Sequence, residues 1–208
     1  MRRGFYGGTF DPVHQGHVQL ALFALQHCGL HSLDLIPCHL PPHRQAPTSA
    51  AHRVAMLELA LAPYPQLQIN DLELSHQQPS YTVDTLTTLK QRYPNDSLCF
   101  LIGMDSLQYF TRWHRWQEIL ELAHLLVVDR PGYSAEDGDA PELLARSQVT
   151  DLDALDRHAA GCIYRLANPP FDVSATLLRQ NPTGAHPLQI PAVADYIKQH
   201  GLYCPAVG

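Results

Sequence analysis

The sequence lacks a basic surplus. Fourteen lysines and arginines face twenty aspartates and glutamates, a formal charge of −6, whereas a nucleic-acid-binding chain would carry the opposite balance. It has no apolar run long enough to cross a bilayer, and its first residues lack the basic-then-apolar segment of a secretory signal. These features predict a cytoplasmic protein with no nucleic-acid or membrane partner. The five cysteines (Cys28, Cys38, Cys99, Cys162 and Cys204) are scattered. Without a close pair they suggest neither a zinc knuckle nor a redox motif, and they read as reduced thiols. Also missing are a cluster of metal-ligating residues, a nucleophile-elbow serine and the Gly-x4-Gly-Lys-Ser/Thr loop that cradles phosphates in kinases and ATPases. There is no internal repeat, low-complexity tract or interdomain linker. With 45% hydrophobic and 16% charged residues, the 208 residues have the balance of an ordinary globular chain. We expect one domain over residues 1–208.

What is present is concentrated near the start. Gly7-Gly8-Thr9-Phe10-Asp11-Pro12-Val13-His14-Gln15-Gly16-His17 joins a short strand candidate, Arg3–Tyr6, to an apolar-periodic segment. Two adjacent glycines allow a sharp turn and a close approach to a ligand. The N-terminus of the helix that follows is an anion site, with N–H groups and a positive dipole end. His14 and His17, three residues apart, are expected to direct both rings to one place. Such a group suits phosphate chemistry on a nucleotide.

Along the rest of the chain, apolar runs alternate with helical periodicity. Strands are predicted at Leu33–Pro37, Leu67–Ile69, Leu98–Ile102, His124–Val128 and Cys162–Leu166, with a further strand-like piece at Leu72–Leu74. Helices are predicted from Val18 to Cys28, after the Thr48/Ser49 caps, from Thr82 to Tyr93, around Trp113 and Trp116, from Ser174, and over Ala192–His200. The acidic stretch from Tyr133 to Ala160 is read as one helix and a surface excursion. This alternation implies a Rossmann-like, doubly wound α/β fold with a parallel sheet and a small C-terminal helical part. Ligands of such sheets bind at the carboxyl ends of the strands. That edge is predicted to gather the Gly7-Gly8 loop, His14, His17, His43, Arg44, Asp105, Arg130 and the Ser174/Thr176/Arg179 helix start. The chemistry left to them is positioning and charge stabilisation without a covalent intermediate.

The signature resembles that of the nucleotidyltransferases, Gly-Gly-Thr-Phe-Asp-Pro…His-x-Gly-His. Over nearly its whole length the chain is similar to bacterial nicotinate-nucleotide adenylyltransferases. The matching stretches are Pro41-Pro42-His43-Arg44, Pro79-Ser80-Tyr81-Thr82, Ile102-Gly103-Met104-Asp105-Ser106, Trp113, Arg130-Pro131-Gly132-Tyr133 and Val173–Arg179. The resemblance implies transfer of AMP from ATP to nicotinate mononucleotide, giving deamido-NAD and pyrophosphate, in NAD biosynthesis. It implies that His14 and His17 stabilise charge on the phosphates and that Gly7, Gly8, Thr9 and Phe10 line the nucleotide site. Ser174, Thr176 and Arg179 match a second ATP-binding motif. Tyr81-Thr82 and Trp113 would hold the pyridine ring, with His43, Arg44, Gly103, Asp105 and Arg130 also on the substrate side. Mg²⁺ would arrive with ATP, held mostly by phosphates and water. Two positions depart from the family pattern: Ala175 stands where many relatives have a serine, and Asp129 precedes Arg130 where a second basic residue is expected. Transferases acting on phosphopantetheine or with CTP share the signature, but should lack the tryptophan and Pro-Ser-Tyr-Thr. A nucleotide-binding regulator would have no need of the histidines. A fragment of a class I tRNA synthetase fits the negative charge poorly. The sequence leaves the oligomeric state open.

Overall fold

The computed structural model describes residues 1–39, 48–75, 80–167, 175–181 and 186–203. Within them the elements run β1 (Arg2–Gly8), α1 (Gln15–His27), β2 (Ser32–Pro37), α2 (Ala50–Leu61), β3 (Leu67–Ile69), α3 (Thr82–Arg92), β4 (Ser97–Gly103) and α4 (Met104–Leu107). They continue with α5 (Trp116–Leu122), β5 (His124–Val128), α6 (Ala140–Ser147), β6 (Gln148–Val149), α7 (Ala154–Arg157), β7 (Ile163–Leu166), α8 (Ala175–Gln180) and α9 (Pro191–Gln199). Every strand pairing is parallel, in the order β3-β2-β1-β4-β5-β7-β6. The fold is therefore the Rossmann-like α/β sheet expected from the alternation.

Strand β4 shows why the sheet is covered on both sides. Leu98, Phe100 and Ile102 enter one apolar cluster with Val83, Leu86 and Leu89 of α3 and Ile119 of α5. Cys99 and Leu101 enter another with Ala21 and Ala24 of α1, Met56 and Leu57 of α2, and Val193 and Ile197 of α9. Alternate side chains of a strand point to opposite faces, so a run apolar at every position needs a layer on each.

Two expectations need correction. Leu72–Leu74 is part of a 3-10 turn, Leu72–Ser75, and not a strand. Asn70 stops the extended run there: its side chain donates to Asp34 (2.9 Å) and accepts from the Leu72 N–H (3.2 Å), a local bond that competes with the sheet ladder. The acidic stretch, read as a helix and an excursion, also carries β6 and α7, and β6 pairs with β7 as the sheet's last strand. A two-residue strand is too short for any periodicity to reveal.

The chain runs outward from β1 to β3, then returns to place β4 on the other side of β1. The crevice between β1 and β4, at their carboxyl ends Gly8 and Gly103, is thus where the winding reverses. The signature loop leaves from one of these ends and Asp105 follows the other.

Candidate active site

Beyond β1, Phe10 adopts φ +49° and is followed by a cis Asp11-Pro12 bond. Its ring is buried, edge-on to Tyr6 (5.6 Å) and to His17 (5.2 Å between centroids). This packing accounts for Gly8, because a Cβ there would come within 2.9 Å of the Phe10 ring. The Asp11 carbonyl accepts from Arg179 Nη1 at 2.6 Å, and Arg179 Nη2 donates to Thr176 Oγ1 at 3.0 Å. The Asp11 carboxylate accepts the Tyr203 hydroxyl. Helix α8, through Arg179, and the turn after α9, through Tyr203, are thereby tied to the first loop.

His14 is the N-cap of α1, with extended φ −142° and ψ 169°, and His17 is its N3 residue. The His14 N–H donates to His17 Nδ1 at 3.2 Å, and the two rings stack with centroids 3.7 Å apart. They do meet, although His14 lies before the helix and not within its first turn. Because His17 Nδ1 accepts, a neutral His17 carries its proton on Nε2. His14 Nδ1 is buried with no hydrogen-bond partner. Burial, then the charges of Arg130 and His186, push the His14 pKa down to about 4. Burial, His14 and Arg130 hold His17 well below the usual imidazole range as well. Near neutral pH both rings are uncharged N–H donors, a state in which they stack without mutual repulsion. The Gln15 N–H already donates to the Leu188 carbonyl at 2.9 Å, so the protein itself fills part of the helix terminus.

Across the crevice, Arg130 donates to Asp105 at 2.6 Å at the ends of β5 and β4. Asp105 tucks under Gly103, where a Cβ would stand 2.2 Å from its Oδ1. The residue that departed from the family pattern, Asp129, pairs with Arg165 at 3.2 Å, leaving Arg130 to the crevice.

The remaining predicted residues form a second group. Tyr81 is the N-cap and Thr82 the first residue of α3, and the Tyr81 ring lies 4.6 Å from that of His114. Glu73 accepts from Thr85 Oγ1 at 2.7 Å, bracing that helix start. Trp113 and Trp116 both pack on Phe110, at 5.3 and 6.2 Å between centroids. Asp139 accepts from the Thr111 N–H (2.8 Å) and hydroxyl (2.7 Å), and its own N–H donates to the Gln108 carbonyl. The acidic stretch therefore fixes the turn that carries Trp113. Among the described residues no ring contact or hydrogen bond joins this group directly to the histidines. On the histidines' side, Arg130 is paired with Asp105 while its charge reaches both rings. His43, Arg44 and Ser174 lie outside the described residues.

Sequence reasoning missed Arg53, Asp139 and Tyr203. Only Arg53 left a signal. It lies on the buried stripe of α2 with Met56, Leu57 and Ala60, and a charge at an apolar-face position calls for a partner.

A parallel sheet with a glycine loop, a helix N-terminus and paired histidines at its switch point defines a nucleotide-binding α/β protein equipped for phosphate transfer. Residues 5–181 match the cytidylyltransferase-like family. A relative from Aeromonas hydrophila, named "Probable nicotinate-nucleotide adenylyltransferase", is 46% identical over 98% of this chain and 97% of its own. One of the same name from Klebsiella pneumoniae is 41% identical over 97% of each. Among solved structures, Plasmodium falciparum nicotinic acid mononucleotide adenylyltransferase complexed with NaAD superposes with a TM-score of 0.76 over 97% of both chains, at 20% identity. The chain belongs to the cytidylyltransferase-like family and, within it, to the nicotinate-nucleotide adenylyltransferases.

Proposed function

We propose that this protein transfers the adenylyl group of ATP to nicotinate mononucleotide, making deamido-NAD and pyrophosphate for NAD synthesis. The acceptor's phosphate oxygen attacks the α-phosphorus, and the bond from that phosphorus to the β-phosphate bridge oxygen breaks. The nucleophile is already an anion, so the protein needs alignment and charge cancellation more than a strong base. The observation that carries the reading is the stacked, neutral His14–His17 pair at the start of α1, beside the β1–β4 switch point. Their N–H groups donate to phosphate oxygens, and each ring gains basicity as negative charge gathers beside it.

Gly7, Gly8, Thr9 and Phe10 line the donor site, and Ser174, Thr176 and Arg179 are its second set of ATP contacts. The α3 start at Tyr81-Thr82 offers backbone N–H groups to the nicotinate carboxylate, and Trp113 stacks on the pyridine ring. His43, Arg44, Gly103, Asp105 and Arg130 complete the acceptor side. Among the described residues no group of three or more His, Cys, Asp or Glu side chains is arranged to hold a metal. The donors at the edge are imidazoles and backbone N–H groups, which suit phosphate oxygens. Mg²⁺ fits this set as an ion carried by the ATP phosphates, where it supplies charge neutralisation.

The test is pyrophosphate release with ATP, Mg²⁺ and each of nicotinate mononucleotide, nicotinamide mononucleotide and phosphopantetheine. A strong preference for the first is expected. Release with another acceptor alone would overturn the substrate, and silence with all three despite ATP binding would overturn the enzyme.

A further inference from the structure

Arg53 is 1% exposed, among the most deeply buried large side chains of the described chain. Its guanidinium donates to three backbone carbonyls: from Nη1 to Thr9 at 2.8 Å, from Nη2 to His39 at 3.2 Å and from Nε to Thr48 at 3.3 Å. These carbonyls belong to the turn after β1, the turn after β2 and the residue before the α2 cap. Among the described residues Arg53 makes no ion pair. A buried cation without a carboxylate is a costly way to fill core volume, which an apolar side chain of similar size would fill better. The planar fork, by contrast, is suited to gripping several oxygens at fixed angles.

We propose that Arg53 is a positioning residue for the ATP-binding loop. This rests on the adenylyltransferase reading above. The Thr9 carbonyl turns inward to the guanidinium, and across a planar trans peptide the Phe10 N–H must then point the opposite way, outward from α2. The fixed positive charge polarises that peptide and strengthens its N–H as a donor. Thr9 and Phe10 cannot peel from α2 without leaving a buried cation short of a partner. The loop is thus held in its ligand-ready shape before ATP arrives.

Arg53→Lys keeps the charge but replaces the fork with a point donor unable to serve all three carbonyls, and Arg53→Gln removes the charge as well. Both are to be compared with wild type for thermal unfolding and, well below the transition, for kcat and the KM of each substrate. For Arg53→Lys we expect the ATP KM to rise about tenfold while the nicotinate mononucleotide KM and kcat stay within about threefold. For Arg53→Gln the rise in ATP KM should be larger still. A purely structural role would lower the unfolding temperature and leave the ATP KM of the folded enzyme unchanged. That result, or an equal rise in both KM values, would overturn the proposal. If neither variant folds, NMR of the wild type decides. The Arg53 side-chain N–H and Phe10 amide resonances should shift together when a non-hydrolysable ATP analogue is added, and no shift at either would overturn it. A wild type inactive towards nicotinate mononucleotide would instead sink the substrate reading, whereas the variants test only Arg53.

Discussion

The two edges of the sheet manage charge in different ways. At the amino edge charges are closed against one another. Arg2 grips Asp156 through Nε and Nη2 (2.8 and 2.5 Å), while Arg3 and the N-terminal ammonium share Asp96 (2.6 and 3.2 Å). Buried His124 accepts the Cys162 N–H through Nδ1 at 3.1 Å. At the carboxyl edge Arg130 also pairs with Asp105, but Arg53 and Arg179 meet backbone carbonyls and His14 keeps a buried Nδ1 without a partner. The first arrangement closes its ion pairs within the protein, although buried His124 Nε2 has no hydrogen-bond partner there. The second leaves donors and positive potential to be satisfied by something else, which is how a pre-organised anion site differs from structural ion pairing.

The contrast breaks most visibly at His17. Removing one donor aimed at developing charge costs about 10²–10³ in turnover. His17→Ala should show a loss of that size in steady-state pyrophosphate release. Stability should fall in urea unfolding by more than the about 1 kcal/mol of a helix cap, because the His14 N–H bond and the ring's packing on His14 and Phe10 are lost together. Retained turnover would remove His17 from the mechanism.

A smaller effect appears in the pH dependence of stability. His14 is held near pKa 4 when folded and titrates near 6.5 when unfolded. Below pH 6.5 the unfolded chain takes up a proton that the folded one refuses, so stability is lost as pH falls from about 6.5 towards 4. The contribution reaches about 3 kcal/mol at pH 4. His17 and His124, both depressed by burial, act in the same direction. His14→Gln should therefore flatten the pH dependence of unfolding without abolishing it, and an unchanged slope would show that His14 is not held neutral. The amino-edge carboxylates also contribute stability that is lost as pH falls, but in the lower window of the carboxylate range. Arg3 holds Asp96, and Arg2 holds Asp156, below the usual carboxylate range.

The smallest change belongs at the amino edge. Asp156 is well exposed, and exposed ion pairs contribute about 0–1 kcal/mol. Asp156→Ala should shift unfolding by no more than that, with kcat and both KM values unaltered. A clear loss of activity would show that the edges are coupled through the sheet.

Much of this was legible beforehand. His124–Val128 is the strand its apolar run predicts, and Leu98–Ile102 lies within β4, because five consecutive apolar residues bounded by turn formers suit a strand covered on both faces. Ser49 caps α2 by accepting the His52 N–H, as its position suggests. The failures share a cause. The Leu72 turn, β6, the Asp139 brace and Tyr203 all depend on partners far away in sequence or on one local side-chain bond, and periodicity records neither.

By itself the sequence determined the alternation of strand and helix, hence a parallel sheet. It also placed the glycine loop, both histidines, Asp105 and Arg130 on segments that leave the strands' carboxyl ends. Only the tertiary structure decided that the histidines stack as neutral donors, that Arg130 lends its charge to them through the crevice, and that Arg53 holds the Thr9 carbonyl. Charge state follows burial, and burial follows packing between segments as distant as Asp11 and Tyr203. A pattern of neighbours in sequence specifies elements, but only their assembly sets the dielectric and the partners each charged group will meet.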